Sequence, residues 1–444
     1  MFIFMANNQE KLQFDILRLL DRAKKRVDQV EISAGIETGF SVDVRLGAVE
    51  TVEHHRENSL DITIYHQQRT GSASTSDLSF EAMETAFDKA CTIAQFTQED
   101  PYAGLADVAD MALDYPNLTL YHPWQITPKE AIELAIECET VARKYDPRIK
   151  NSDGATVNTY DSFRIYANSH GFLGHYPSTI HSMSCSLVAE QNNQMQRDHD
   201  YTLARSSDKL LPINLIAQHV AEKTIRRLGA RKITTRRCPI IFDAPVAKGM
   251  WRSLISAIQG SNLYRDASFL CGQLHQQIFP KFITIYQEPH LPGEIGSAPF
   301  DENGVKTRKI NYVENGVLTN YILDAYSARK LGMKTTGNAE GVFNLFITAG
   351  DKDLIDLFKE MQTGLFVTDL MGQGVNLLTG NYSRGAFGYW IENGEIQYPV
   401  EEITISGNLK EMFKQIQVAA NDIDPRSSIK TGSILIEQMT VAGE

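Results

Sequence analysis

The sequence predicts an α+β protein of two domains, residues 1–210 and 211–444. Antiparallel and mixed sheets carry flanking helices, and a Gly-rich β-meander lies in the second domain. Three observations predict this. Runs such as Phe40, Val42, Val44, Leu46 and Leu60-Asp-Ile-Thr-Ile-Tyr-His66 alternate apolar and polar side chains, as a strand with one buried face does. Apolar stripes at helical spacing lie among them, which makes a mixed pattern. The chain has 444 residues, a length suited to roughly two or three domains.

Taken in order, Leu12, Ile16, Leu19, Leu20, Ala23 and Val27 predict an amphipathic helix over 8–28. The two alternating runs follow. Arg69–Ser79 reads as a turn, a strand end and a helix cap, and Phe80, Met83, Phe87, Ala90, Cys91 and Ala94 form a second helical stripe. Residues 98–126 are irregular. Thr127-Pro-Lys-Glu130 is a capping box with proline at the first helical position. Residues 149–205 read as strand with polar turns, and the domain boundary is expected near Arg205–Pro212. A helix over 212–228 ends at Gly229, Cys238–Asp243 is a buried strand, and Val246–Gln259 is a helix burying Ala247, Met250, Trp251, Leu254 and Ile258. Strands and turns such as Asn303-Gly and Asn315-Gly fill 281–350. Asp353–Glu360 is a short helix, Asn408 caps a final helix with Leu409, Met412, Phe413 and Ile416 inward, and Ser433–Glu437 is a last strand.

The composition is that of a globular protein, 42% hydrophobic and 22% charged, with a net charge of −12. That balance argues against nucleic-acid or anionic-membrane binding, which needs clustered cations. The one basic run, Arg226–Arg237, lies at an expected helix end, where cations are favourable on dipole grounds. The five cysteines are scattered and form no Cys-x-x-Cys, as expected in a reducing cytoplasm. The apolar start Met1–Met5 is too short for a signal core, and no run reaches transmembrane length.

Glycine recurs through Gly364–Leu409 at 364, 372, 374, 380, 385, 388, 394 and 407, and Asn393-Gly394 is a strong hairpin signal. Composition alone favours a Gly-rich meander in a core over a cradle for something bound. Gly372-Gln-Gly374 begins a dinucleotide-like pattern, but Leu377 stands where its third glycine belongs. No histidine is followed by glutamate, so no His-Glu-x-x-His site exists, and His170, His175 and His181 have no common ligand spacing. The densest polar constellation spans Ser297–Arg308, Asn320–Gly332 and Thr335–Ala339. Asp301, Arg308, Asp324 and Arg329 are expected to form buried ion pairs that fix loops around a cleft, a structural role before a substrate-binding one.

Those same segments resemble the TldD/PmbA family: Gly296–Arg308, Val317–Gly332, Thr336-Gly-Asn-Ala339 and Gly372-Gln-Gly-Val-Asn376, with Ser72–Ser79 and Met195–Asp198 in the N-terminal half. The resemblance covers nearly the whole chain. In one branch, TldD, a helix of the C-terminal domain carries His-Glu-x-x-x-His, and a later cysteine completes a zinc site for peptide hydrolysis. Aligned through Gly260, that motif falls here on Trp251, Arg252 and Ser256, and Ile423–Gly432 contains no cysteine. An indole is not a metal ligand and a guanidinium is no base near neutral pH. The chain therefore resembles the branch without the metal motif, PmbA or TldE.

The resemblance implies a cytoplasmic heterodimer with a TldD-like catalytic subunit. That pair acts on unfolded or extended peptide substrates, including peptide-antibiotic precursors and antitoxins. The zinc is expected in the partner, with no catalytic residue, metal or cofactor in this chain, and a homodimer is possible in the partner's absence. Whether this chain is itself an enzyme the resemblance leaves open. Asp301, Arg308, Tyr321, Asp324, Arg329, Asn338, Gly372, Gly374 and Asn376 are the expected cleft-lining or structural residues. The Gly-rich stretch is expected to accept peptide by backbone pairing. Two other readings stand beside this one: a protease active alone through a site such as His170, His175 and His181, or a protein-binding modulator without proteolytic function.

Overall fold

The computed structural model describes residues 2–339 and 341–444, with side chains from residue 9 onward. In the N-terminal half, α1 (Phe2–Ala23) leads into the strands β1 (Gln29–Arg45), β2 (Ala48–His66) and β3 (Arg69–Thr75). Helices α2 (Phe80–Phe96) and α3 (Pro128–Lys144) follow, then β4 (Ile149–Asn168), β5 (Leu173–Gln191), β6 (Gln194–Ala204) and α4 (Ile213–Arg226). The six strands form one antiparallel sheet in the order β3-β2-β1-β4-β5-β6. Leu46-Gly47, Gln67-Gln68 and Asn192-Asn193 close three of its four hairpins with φ positive at both central residues, the turn whose twist matches that of paired strands.

Strand alternation then sorts the faces. Val30, Ile32 and Ala34 of β1 pack with Leu60, Ile62 and Ile64 of β2 beneath α1 and α2. Phe40, Val42 and Val44 on the same face of β1 pack with Ala135, Cys138, Ile216 and Val220 of α3 and α4. All four helices thus cover one face, and the other presents Glu31, Ser33, Gly35, Glu37, Asp61 and Arg164 to a cavity shared with the C-terminal half. The boundary expected near residue 210 lies just before α4, whose apolar stripe packs on this N-terminal sheet. The capping box at Thr127 forms in both directions, and residues 98–126 contain only a short 3-10 turn at Val108–Asp110.

The C-terminal half begins with β7 (Arg236–Phe242), α5 (Ala244–Ala257) and α6 (Gly260–Leu263), followed by β8 (Ile285–Gln287), β9 (Ile310–Glu314) and β10 (Val317–Leu318). Next come α7 (Ala325–Lys330), β11 (Leu345–Ile347), α8 (Leu354–Met361), β12 (Gly364–Met371), β13 (Asn381–Glu392) and β14 (Glu395–Asn408). The chain ends with α9 (Leu409–Lys414), β15 (Ile416–Ala419), β16 (Ile429–Lys430) and β17 (Ile434–Ala442). One sheet runs β10-β9-β8-β11-β16; the other runs β14-β13-β12-β7-β17-β15, with β14 returning to pair with β17. Both are mixed, since β12 is parallel to β7 and β11 to β16. The Gly-rich stretch is the β12-β13-β14 meander, turned at Asn393-Gly394 with φ of 55° and 75°. Ile416, expected at the inward face of the last helix, instead begins β15.

Candidate functional site

Helix α5 carries the three positions matched to the family's metal motif. Asp243 caps it by accepting from the Ala244 N–H, and Pro245 presets its first turn. Its inward stripe is Ala247, Met250, Trp251 and Leu254. Trp251 is wholly buried, packs 5.8 Å from the Phe279 ring, and donates its indole N–H to Thr431 Oγ1 at 2.9 Å. Thr431 lies in the segment where the family's cysteine is expected. An internal hydrogen bond therefore joins the matched helix to that segment. Arg252 is exposed, Ser256 is half-buried, and the Ser256 carbonyl accepts from Asn262 Nδ2 at 2.8 Å. An indole N–H, a guanidinium and two hydroxyls do not make a zinc donor set. Among the described residues no three His, Cys, Asp or Glu side chains are grouped to hold a metal ion. The residues present do not fit the metal.

Beside this helix a chain of buried charges ties the two halves together. Lys248 and Asp424 pair at 2.6 Å, each 5% exposed. Arg426 bonds Asp424 at 2.8 Å and reaches Asp200 of β6 at 2.6 Å. Asp200 also holds Lys223 of α4 at 3.0 Å. Burial opposes ionisation of Asp424, but hydrogen bonds from Arg426 and Lys248 outweigh it and hold its pKa at about 2. The network borders a cavity of about 600 Å³ lined by Arg205, Lys209, His219, Asp243 and Asp422. Within it, burial and the neighbouring Asp422 charge push Asp243 up to about 6.

The residues expected around a cleft are loop-holders. Asp301, fully buried, accepts from the N–H groups of Asn303, Val305 and Ala339 at 2.9–3.0 Å. Arg308 donates to the Thr335 carbonyl at 2.8 Å, and Arg329 to the carbonyls of Tyr102, Gly104 and Leu105 at 2.6–2.9 Å. Asp324 caps α7 through the Ser327 N–H and hydroxyl. The ion pairs expected for Arg308 and Arg329 are thus replaced by bonds to backbone, because these side chains stitch irregular segments that have no ladder of their own. Asn338 is buried in a polar knot with Gln287 and Tyr312, and the buried Tyr321 stays in its core. Asn376 caps its own turn by accepting from Leu378 and Thr379. Gly372 has φ +79°, and a side chain at Gly374 would place its Cβ 1.4 Å from the Ser383 carbonyl oxygen.

Two further expectations meet the geometry. The Gly-rich stretch offers no free edge in β12 or β13: β12 lies between β7 and β13, and β13 between β12 and β14. The histidines are not brought together either. His175 and His181 lie six residues apart on β5, about 20 Å along a strand. Both ring nitrogens of His181 are engaged, by Thr159 Oγ1 and by the His122 carbonyl.

The sequence reading missed the polar face of the N-terminal sheet. There Glu31 accepts from Tyr65 and Tyr166 hydroxyls, both at 2.7 Å. Burial raises its pKa against the pull of those two bonds and of Arg329. Glu31, Glu37, Glu57, Asp61, Glu302 and Asp324 line a cavity of about 720 Å³ with Arg164, which pairs with Glu302 at 3.4 Å. The odd-numbered acids of β1 and β2 were the available signal, since alternation places them opposite the apolar face.

Sequence profiles described as PmbA/TldA metallopeptidase domain 1, central domain and C-terminal domain match residues 30–94, 121–228 and 235–443. The chain is 45% identical to metalloprotease PmbA of Escherichia coli O157:H7, over 96% of this chain and 94% of that protein. It superposes with a TM-score of 0.92 on a crystal structure from Bacteroides thetaiotaomicron VPI-5482 provisionally described as a modulator of DNA gyrase, at 27% identity over 99% of each chain. TldE of Thermococcus kodakarensis shares the fold with a TM-score of 0.85 at 22% identity, over 97% of this chain and all of that one.

Proposed function

Because the chain belongs to the PmbA/TldD metallopeptidase family, we propose that it is the non-catalytic, PmbA/TldE-type subunit of a two-subunit cytoplasmic metallopeptidase. A TldD-like partner holds the zinc and cleaves unfolded or peptide substrates, peptide-antibiotic precursors and antitoxins among them. One observation carries the reading: the matched motif positions hold Trp251, committed to the core and to Thr431, with Arg252 and Ser256 beside it. Likeness to PmbA relatives in sequence and to TldE in fold supports it. In this pair the chain supplies surface and leaves bond cleavage to its companion.

The test is co-expression with a TldD-like chain, then metal analysis and cleavage of an unstructured peptide with and without chelator. Zinc and chelator-sensitive cleavage are expected only in the complex. Stoichiometric, tightly held zinc together with turnover by this chain alone overturns the proposal.

A further inference from the structure

The N-terminal sheet has an open edge that none of the assigned roles uses. β2 runs from Ala48 to His66, but β3 pairs only with Leu60–His66 of it. Its first part pairs with β1 on one side and with nothing described on the other. Hairpin geometry fixes which backbone groups are free. His66 and Arg69 flank the two-residue turn Gln67-Gln68, so they exchange both hydrogen bonds, and alternation turns Ile64, Ile62 and Leu60 toward β3 as well. The β1–β2 register is continuous from Gln29↔Tyr65 to Asp43↔Thr51, so the same parity continues through Asn58, Arg56, His54 and Val52. The N–H and C=O groups of these residues therefore point off the sheet, with no partner among the described residues. All but Asn58 are exposed.

Long open edges recruit strands, and natural proteins usually shorten, bulge or cover them. Here the bulge at Asp43/Val44 lies beyond the free groups, toward the hairpin tip. Of the odd-numbered side chains beside this edge, Glu53, Glu57 and then Asp61 are acids, with His55 and Ser59 between them, and they stand on the sheet face that continues into the cavity with Glu31, Glu37, Glu302 and Asp324. An added strand would set every second side chain against that row. We propose that the Val52–Asn58 edge of β2 docks an extended, lysine- or arginine-bearing polypeptide segment, held by backbone pairing and selected by the acidic row. A second copy of this chain is a poor occupant, because pairing edge to edge about a twofold brings two rows of Glu53 and Glu57 together. The inference does not depend on the subunit assignment, and it is tested without partner or cleavage.

The probe is a labelled peptide of about nine residues alternating lysine and threonine, titrated into the full chain by fluorescence anisotropy against a glutamate–threonine counterpart. The lysine peptide should bind saturably, about tenfold or more tighter than the glutamate one, with the preference shrinking at high salt. N-methylating alternate amides in one parity should abolish binding, and in the other parity spare it. H54P removes an N–H that faces the free side, so it should keep the fold by circular dichroism and lose the peptide. E53Q/E57Q should lose most of the charge preference. Equal binding of the two peptides, indifference to methylation parity, or full binding by folded H54P overturns the proposal. So does a dimer, seen by sedimentation, that H54P dissolves and the lysine peptide does not compete away.

Discussion

Replacing Trp251 by phenylalanine tests whether the matched motif position is core. The indole is wholly buried against Phe279, and its N–H meets Thr431 Oγ1 at 2.9 Å. Phenylalanine leaves about 40 Å³ unfilled, roughly 1 kcal/mol, with a similar loss of transfer free energy. The lost hydrogen bond adds about 1 kcal/mol, less any relief from Thr431 turning to other partners; its hydroxyl already donates to the Gly432 carbonyl at 3.0 Å. W251F should therefore destabilise by about 2–3 kcal/mol. T431V strands the indole N–H in the core and should cost about 1–2 kcal/mol. The double variant removes both partners, so it should fall short of the sum by about 1 kcal/mol. Equilibrium urea unfolding of the four proteins measures each step. Strict additivity refutes the hydrogen bond as an energetic link, and a W251F cost under about 0.5 kcal/mol refutes the packed-core reading altogether.

Three further outcomes are expected. D243N keeps the cap on α5 but removes a carboxylate whose folded pKa, about 6, exceeds its unfolded value. The unfolded chain releases that proton first, so wild-type stability falls as pH rises from about 4 to about 6. The variant should be more stable by about 2–3 kcal/mol at pH 7.5 and equal to wild type near pH 4, read from thermal midpoints across pH. R329A removes the bonds to the Tyr102, Gly104 and Leu105 carbonyls; limited proteolysis should then cut within 98–126, with about 2 kcal/mol lost globally. G374A drives a Cβ into the Ser383 carbonyl oxygen and should cost about 3 kcal/mol or more in urea unfolding, unless the β12–β13 loop rearranges.

What the sequence made legible was local. The capping box at Thr127, the Asn393-Gly394 turn and the inward stripe of α5 were all readable, because each is written in residues adjacent along the chain. The Gln67-Gln68 hairpin was not, since glutamine is no turn former and only the pairing of β2 with β3 imposes its positive φ. Nor were the partners of Arg308 and Arg329: charge suggested carboxylates, but the fold delivers carbonyls of irregular segments, from residues as distant as Tyr102. The acidic cavity was hidden for a related reason. Glu31 and Asp61 belong to one sheet and Glu302 to a loop nearly 250 residues further on, and only the docking of the halves joins them.

The site on α5 has a physical logic once its neighbours are counted. A metal centre needs lone pairs facing a hollow; here the hollow is filled by an indole and closed by its bond to Thr431. The charges nearby are spent on each other. Lys248, Asp424, Arg426, Asp200 and Lys223 form one chain crossing from α5 to β6 and α4. Such buried pairs add little net stability over apolar substitutes, yet removing one member leaves its partner charged and unpaired at about 3–5 kcal/mol. Their effect is geometric: together with the Arg329 bonds to Tyr102, Gly104 and Leu105, they fix where the N-terminal half meets the C-terminal half. Helix α5 thus packs its stripe into the C-terminal core and commits its buried Lys248 to a brace that reaches β6, at the opposite end of the N-terminal sheet from the free β2 edge.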